Sequence, residues 1–391
     1  MENRRQAHYA PGGREKSSGG FLKLVLMLLC VGTILWSAVN IHPETGTAAS
    51  ATTAENTYAK DLMTGFDVSV NNLKSSALEN IAYIKKVYTI PENDLVAPRP
   101  DQTKFGETTD PAVIQDVIDS AADLLDGQSL CWSPDVTFLE GAPIKYYCDD
   151  TILVICWKEN INRSCVSFAE VKVAHGSQFR RAIAENTYGS SVQQYPSVMA
   201  KNVNAIVAMN GDFYSFRRYG LTVYQRHVYR CNTANMDTCF IDTNGDMSFC
   251  HIGELTDPAE AEQYVADHDI LFSLSFGPIL VEDGEPVYHD GYPIGEVNTT
   301  YSRSGLGQLG PCHYLLATLG EENEAPVRVP VNTFADYMHS KGCEKAYTLD
   351  GGQTATLVMN GSVYNRVDWN SERTMSDIIY FATAIDSGEA A

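Results

Sequence analysis

The residues best suited to chemistry lie in Tyr347-Thr348-Leu349-Asp350-Gly351-Gly352-Gln353-Thr354, followed about twenty residues later by Glu372-Arg373. An apolar run ends on a carboxylate, and two glycines then let the backbone close tightly around whatever that carboxylate faces. Upstream, Ala205-Ile206-Val207-Ala208-Met209 runs into Asn210-Gly211-Asp212-Phe213-Tyr214 with the same order of strand, polar residue and glycine. A third segment, Ser302-Arg303-Ser304-Gly305-Leu306-Gly307, sets an arginine among small residues. A planar guanidinium can grip two oxygens of one anion. Three such segments together read as one anion-handling pocket assembled from loops.

Each segment also has a plainer reading. Asp-Gly-Gly after a strand is most often only a turn. Arg303 and Arg373, taken singly, fit surface ion pairs, and Glu372 could simply pair with a nearby basic group. Seven scattered histidines from His175 to His339 form no H-E-x-x-H or other paired spacing, which argues against a catalytic zinc. Asp212 and Asp350 could hold calcium or magnesium, although no EF-hand spacing exists. Neither G-x-S-x-G nor a P-loop is present. No cofactor is therefore expected.

In order along residues 165–385, the motifs resemble those of the phosphodiester glycosidase family, which includes uncovering-enzyme-like and bacterial exopolysaccharide-related members. Asn210-Gly211-Asp212-Phe213-Tyr214 is similar to its Asn-Gly-Gly-Phe-Phe element, and Phe276-Gly277-Pro278-Ile279-Leu280 with Asp283-Gly284 to its Gly-Pro turn. Ser302–Gly307 resembles Arg-Thr-Ala-Ile-Gly, Leu349-Asp350-Gly351-Gly352 resembles Leu-Asp-Gly-Gly, and Glu372-Arg373 resembles the arginine element near the end. Asp212 stands where a glycine is usual, and Gln353-Thr354-Ala355 replaces Gly-Ser-Ser, which adds a carboxylate and removes hydroxyls.

The resemblance implies hydrolysis of a sugar-1-phosphodiester. Phosphate is already a competent leaving group, so the reaction needs anion stabilisation more than protonation. Arg303 or Arg373 would hold the phosphate. Asp350, with Asp212 and Glu372 behind it, would serve the oxocarbenium ion as nucleophile, base or fixed charge. Asn210, Gly211, Gly351 and Gly352 would line the substrate. The substrate implied is a phosphate-linked surface glycan or polysaccharide; the alternative is a protein that binds phosphorylated glycans without cleaving them.

Charge narrows the partners. The chain of 391 residues carries a net charge of −21. Five basic and two acidic residues precede position 40, leaving 23 basic against 47 acidic beyond it, a net of −24. That surface repels polynucleotides, so no nucleic-acid partner is expected. It also requires a local arginine cluster wherever a phosphate is to bind.

Residues 1–20 read as a polar cytoplasmic tail. Residues 21–39, uncharged apart from Lys23, are just long enough to span a bilayer, and the basic flank orients the remainder outward. A single-pass signal anchor with an extracytoplasmic C-terminal domain is expected; the competing reading is a cleaved signal peptide, given the small residues Thr47–Ala51. Nine of the ten cysteines follow the apolar run, and none forms a C-x-x-C pair. In an exported domain they predict structural disulfides, with Cys231–Cys239 the nearest pair, then Cys131–Cys148, Cys156–Cys165 and Cys312–Cys343.

The elements that must position these groups follow from periodicity. Residues 40–130 read as a spacer and helical stalk or cap, with apolar spacing over 62–87 and a second helix opened by Asp110-Pro111 and closed before Gly127. From residue 131 to 385, β-rich runs dominate: 152–157, 165–173, 204–209, 221–229, 313–319, 345–349 and 378–383. Helices are expected near 191–201, after Asp257-Pro258, and over 332–341. The fold class is α+β, a mixed-sheet domain with peripheral helices, preceded by a transmembrane helix.

Overall fold

A computed structural model describes residues 96–385 except 190, 218 and 321–327, together with the short strand Tyr88–Thr89. The expected tail, the apolar run 21–39 and the helix over 62–87 lie outside the described residues. No described helix is long and apolar enough to cross a membrane.

The domain is built on a nine-stranded sheet whose order is Glu285–Pro286, Ile279–Glu282, Lys345–Leu349, Arg303–Gly310, His313–Leu319, Ser164–Val173, Ile152–Ile161, Ile144–Cys148 and Phe105–Thr108. Two five-stranded sheets accompany it. One is ordered Ser362–Val363, Leu357–Met359, Val207–Asn210, Asp377–Phe381, Phe179–Ile183; the other is ordered His227–Arg230, Thr222–Tyr224, Ile270–Leu274, Thr238–Asp242, Met247–Cys250. The sheet-dominated α+β expectation holds, but the pairings among described strands are antiparallel rather than mixed. Tight turns make this possible: Asn162 and Arg163, at φ 49° and 70°, return one long strand onto the next.

Both faces of the large sheet are covered, which explains why its central strands read as unbroken apolar runs. In Ile152–Ile161 the side chains of Ile152, Val154 and Cys156 enter a core shared with the five-stranded sheets. Leu153, Ile155 and Trp157 point the other way, into a core shared with Ile114, Leu125, Phe334 and Met338 from helices. The helix Pro111–Ser120, capped by Asp110 accepting from the Ala112 amide at 2.9 Å, thus packs on the sheet as a cap.

Helix contact also explains the glycines after Arg303. The segment expected to be an anion-binding loop is a central strand. A Cβ on Gly305 would fall 2.8 Å from the Phe334 ring, and one on Gly307 would fall 2.4 Å from Cys343 Sγ. These glycines admit the helix Val331–Ser340 and its C-terminal turn.

The disulfide expectation is corrected: the nine described cysteines form no disulfide bond. The strand carrying Cys239 buries that residue in the main core, while Cys231 Sγ faces the Leu255 carbonyl at 3.5 Å. Cys156 lies opposite Ala169 and Cys165 opposite Asn160, so strand register separates that pair. Cys312 approaches the Asn244 carbonyl, whereas Cys343 lies against Gly307.

Candidate active site

The strand Lys345–Leu349, paired on both sides, delivers Asp350 at its end. The backbone there is pinned twice. Asn210 Nδ2 donates to the Asp350 carbonyl at 2.7 Å, and the Gly352 amide donates to the Ser302 carbonyl at 2.8 Å. Both glycines are needed for shape. A Cβ on Gly351 would fall 2.3 Å from the Ser302 carbonyl oxygen, and Gly352 has φ +67°. Thr354 Oγ1 donates to Asp350 Oδ2 at 2.8 Å, fixing the carboxyl rotamer.

The charges of two guanidinium groups act on this carboxyl. Burial pushes the Asp350 pKa up to about 6, while the Thr354 hydrogen bond and the charges of Arg217 and Arg373 pull it back. Arg217 lies over the Phe276 ring at 4.3 Å. Arg373 lies over Phe213 at 5.3 Å and Phe216 at 5.4 Å. Aromatic faces hold each cation in place. Arg230 fixes the loop behind Arg217 by donating Nη1 to the carbonyls of Tyr214 at 2.8 Å and Arg217 at 2.7 Å.

That loop is rooted in a buried charge cluster. Arg181 Nη2 pairs with Asp212 Oδ1 at 2.7 Å and Asp377 Oδ2 at 2.9 Å, with no exposure of any of the three side chains. Asp377 Oδ1 accepts from the Phe213 amide at 3.0 Å, which holds Phe213 at φ 53° and its ring beneath Arg373. Burial raises the Asp377 pKa, Arg181 opposes the rise, and Asp212 adds to it. Gly211 is required here because a Cβ would fall 1.8 Å from Asp377 Oδ2.

Several sequence assignments change accordingly. Asp212 is spent on Arg181, the Tyr214 amide at 3.0 Å and the Ser275 amide at 2.7 Å, so it neither joins Asp350 as a second carboxylate nor shares a cation with it. Arg303 is a buried structural group. Its Nε donates to the Val329 carbonyl at 3.1 Å, and its Nη2 donates to those of Val297 at 3.1 Å and Thr299 at 2.6 Å. Glu372 accepts from the Ser197 amide at 3.0 Å and caps the helix Pro196–Asn202. Asn210 is a positioning residue, since its Oδ1 already accepts from Ser304 Oγ at 2.8 Å and the Thr356 amide at 3.2 Å.

Of the sequence candidates, Asp350, Gly351 and Gly352 share one turn, and the charge of Arg373 acts on Asp350. Arg217, Arg181 and Asp377 are not among the sequence candidates, and Thr354 appears there only as part of the Asp350 segment. Arg217 had a signal: Phe216-Arg217-Arg218-Tyr219 is a basic, aromatic run in a strongly acidic chain. Arg181 and Asp377 lie inside strands and carry no local signature.

Comparison with known proteins bears on this geometry. The profile of the phosphodiester glycosidase family matches residues 203–382, a span that includes Asn210, Arg217, Asp350 and Arg373. No curated protein matches the chain. A hypothetical protein from Synechocystis is similar in structure, with a TM-score of 0.51 and 13% identity over 63% of this chain; the match spans 64% of that protein. At that identity the likeness concerns the fold. The zebrafish N-acetylglucosamine-1-phosphodiester alpha-N-acetylglucosaminidase catalytic domain, auto-inhibited by its pro-peptide, gives a TM-score of 0.48 at 16% identity, covering 64% of this chain and 87% of that one. A putative exported protein from Burkholderia pseudomallei gives 0.41 at 12%, covering 56% and 74%. Residues 203–382, which carry the carboxylate and both arginines, match the phosphodiester glycosidase family.

Proposed function

We propose that this chain hydrolyses a glycosyl phosphodiester, with Asp350 at the sugar and Arg217 and Arg373 at the phosphate. The observation that carries the reading is a half-buried carboxyl acted on by the charges of two aromatic-backed guanidinium groups within the family-matched segment. Water adds to the anomeric carbon as the C–O bond breaks. The electron pair departs on the phosphate, and the products are a free sugar and a phosphate monoester. Asp350, ionised above pH ~6, stabilises the developing oxocarbenium charge and accepts the water proton. The arginines bear the phosphate charge.

A competing cavity of about 490 Å³ lined by Arg181, Glu185, Gln194, Tyr224 and Tyr380 suits phosphate less well, because its one lining guanidinium is already held by Asp212 and Asp377. The substrate class in this reading is a phosphate-linked surface glycan or polysaccharide. The domain lies outside the cell on the anchor at residues 21–39; protection of a C-terminal tag from protease added to intact cells would count against that orientation.

The activity test is incubation of the full chain with a panel of sugar-1-phosphodiesters. Equimolar reducing sugar and phosphate monoester are expected, and both are lost in Asp350→Asn. Tight binding of the same diesters without any release of sugar would replace hydrolysis with glycan binding.

A further inference from the structure

We infer that Trp369, with Phe216, forms a stacking subsite for a sugar ring attached on the far side of the phosphate, making these residues determinants of aglycone choice. This rests on the glycosidase reading above. Trp369 is 75% exposed and Phe216 57% exposed, unusual for such large apolar side chains. Neither stands apart from the site. Ser302 donates its hydroxyl to Asp368 Oδ1 at 2.6 Å, while its carbonyl accepts from the Gly352 amide at 2.8 Å, so one residue ties the Trp369 turn to the turn after Asp350. Gln353 Nε2 makes a second tie to the Ser371 carbonyl at 3.1 Å. Phe216 is one of the rings beneath Arg373.

The backbone maintains the presentation of Trp369. It sits at φ 61°, a left-handed conformation that a bulky residue rarely adopts. The flanking contacts are Asp368 to Ser302 and Asn370 Oδ1 accepting from Arg366 Nε at 2.7 Å.

Asp350 and Arg217 are half-buried, while Arg373, Phe216 and Trp369 are exposed. The inferred order is the cleaved sugar at the carboxylate, the phosphate at the guanidinium groups and the next sugar at the exposed aromatics. An indole face offers a pyranose ring a broad apolar surface at low conformational cost.

The probes are methyl α-glucosyl phosphate and the diester of α-glucosyl phosphate with the 6-hydroxyl of a second glucose. The full chain should prefer the second probe in kcat/KM, and Trp369→Ala should lower that preference ratio about tenfold, with Trp369→Phe restoring most of it. Trp132 and Trp157 are buried, so in a full chain carrying Trp36→Phe the exposed-tryptophan emission should be quenched by the two-sugar probe and not by the methyl probe. An unchanged ratio in a folded Trp369→Ala protein overturns the subsite, and so does equal quenching by both probes. Should the wild-type chain cleave neither probe while Trp369 still separates them by quenching, the glycosidase reading fails and the subsite stands.

Discussion

Asn210 Nδ2 and the main-chain carbonyl of Asp350 lie 2.7 Å apart, which locks the end of one strand to the turn after another across two different sheets. The same side chain accepts from Ser304 and Thr356, so one amide holds three segments in register. Asn210→Ala strands these buried partners and should cost about 2–3 kcal/mol. Turnover should also fall in the folded fraction because the Asp350 turn loosens. Urea unfolding and kcat, measured on the same preparations, check both effects.

Arg303 and Arg373 should separate cleanly. Arg303→Lys removes the fork that holds three carbonyls and should cost about 2–4 kcal/mol, while folded protein keeps its KM. Arg373→Ala should leave the melting temperature nearly unchanged and weaken kcat/KM by about tenfold or more. A thermal scan beside a Michaelis curve for each variant tests the assignment. The reverse pattern would return the phosphate to Arg303.

The raised Asp350 pKa links activity to stability. Its folded value of about 6 lies above the ordinary 3.8, so the folded state holds the proton more tightly than the unfolded chain between those values. Stability is therefore lost as pH rises through that window, and ionised Asp350 weakens the fold at neutral pH. Asp350→Asn should raise stability at pH 7.5 by on the order of 1–2 kcal/mol, after discounting for partial exposure, with little change at pH 3.5. The wild-type kcat/KM should climb through pH ~6, the limb that Asp350 titrates.

The Arg181 cluster should behave as a structural core. Arg181→Met leaves Asp212 and Asp377 facing each other without a cation and should cost about 3–5 kcal/mol. The companion change Asp212→Asn removes one of two carboxylates around a single guanidinium and should be milder. Chemical denaturation of the two variants ranks them; equal costs would mean that the cluster does not share its charge in this way.

The sequence made some of this legible because the relevant constraints are local. Asp350 at a strand end, the two glycines behind it and the capped helix at Asp110 all depend on neighbours in the chain. Arg303 misled because glycines around an arginine look like a phosphate loop, whereas here they make room for Phe334 and Cys343. Asp212 misled for a different reason. Its partner Arg181 is 31 residues away and Asp377 is 165, so the ion cluster that consumes it exists only after the sheets form. The cysteines fitted an exported chain by number, yet strand register keeps Cys156 and Cys165 apart.

The central claim is that Asp350 drives cleavage at the sugar while Arg217 and Arg373 carry the phosphate. Single-turnover release of sugar from a glycosyl phosphodiester, measured for Asp350→Asn and the double variant Arg217→Ala/Arg373→Ala, tests it most directly. Asp350→Asn should retain substrate binding and lose about 10²-fold or more in rate, whereas the arginine variant should lose affinity and rate together. Near-normal release by folded Asp350→Asn would contradict the account.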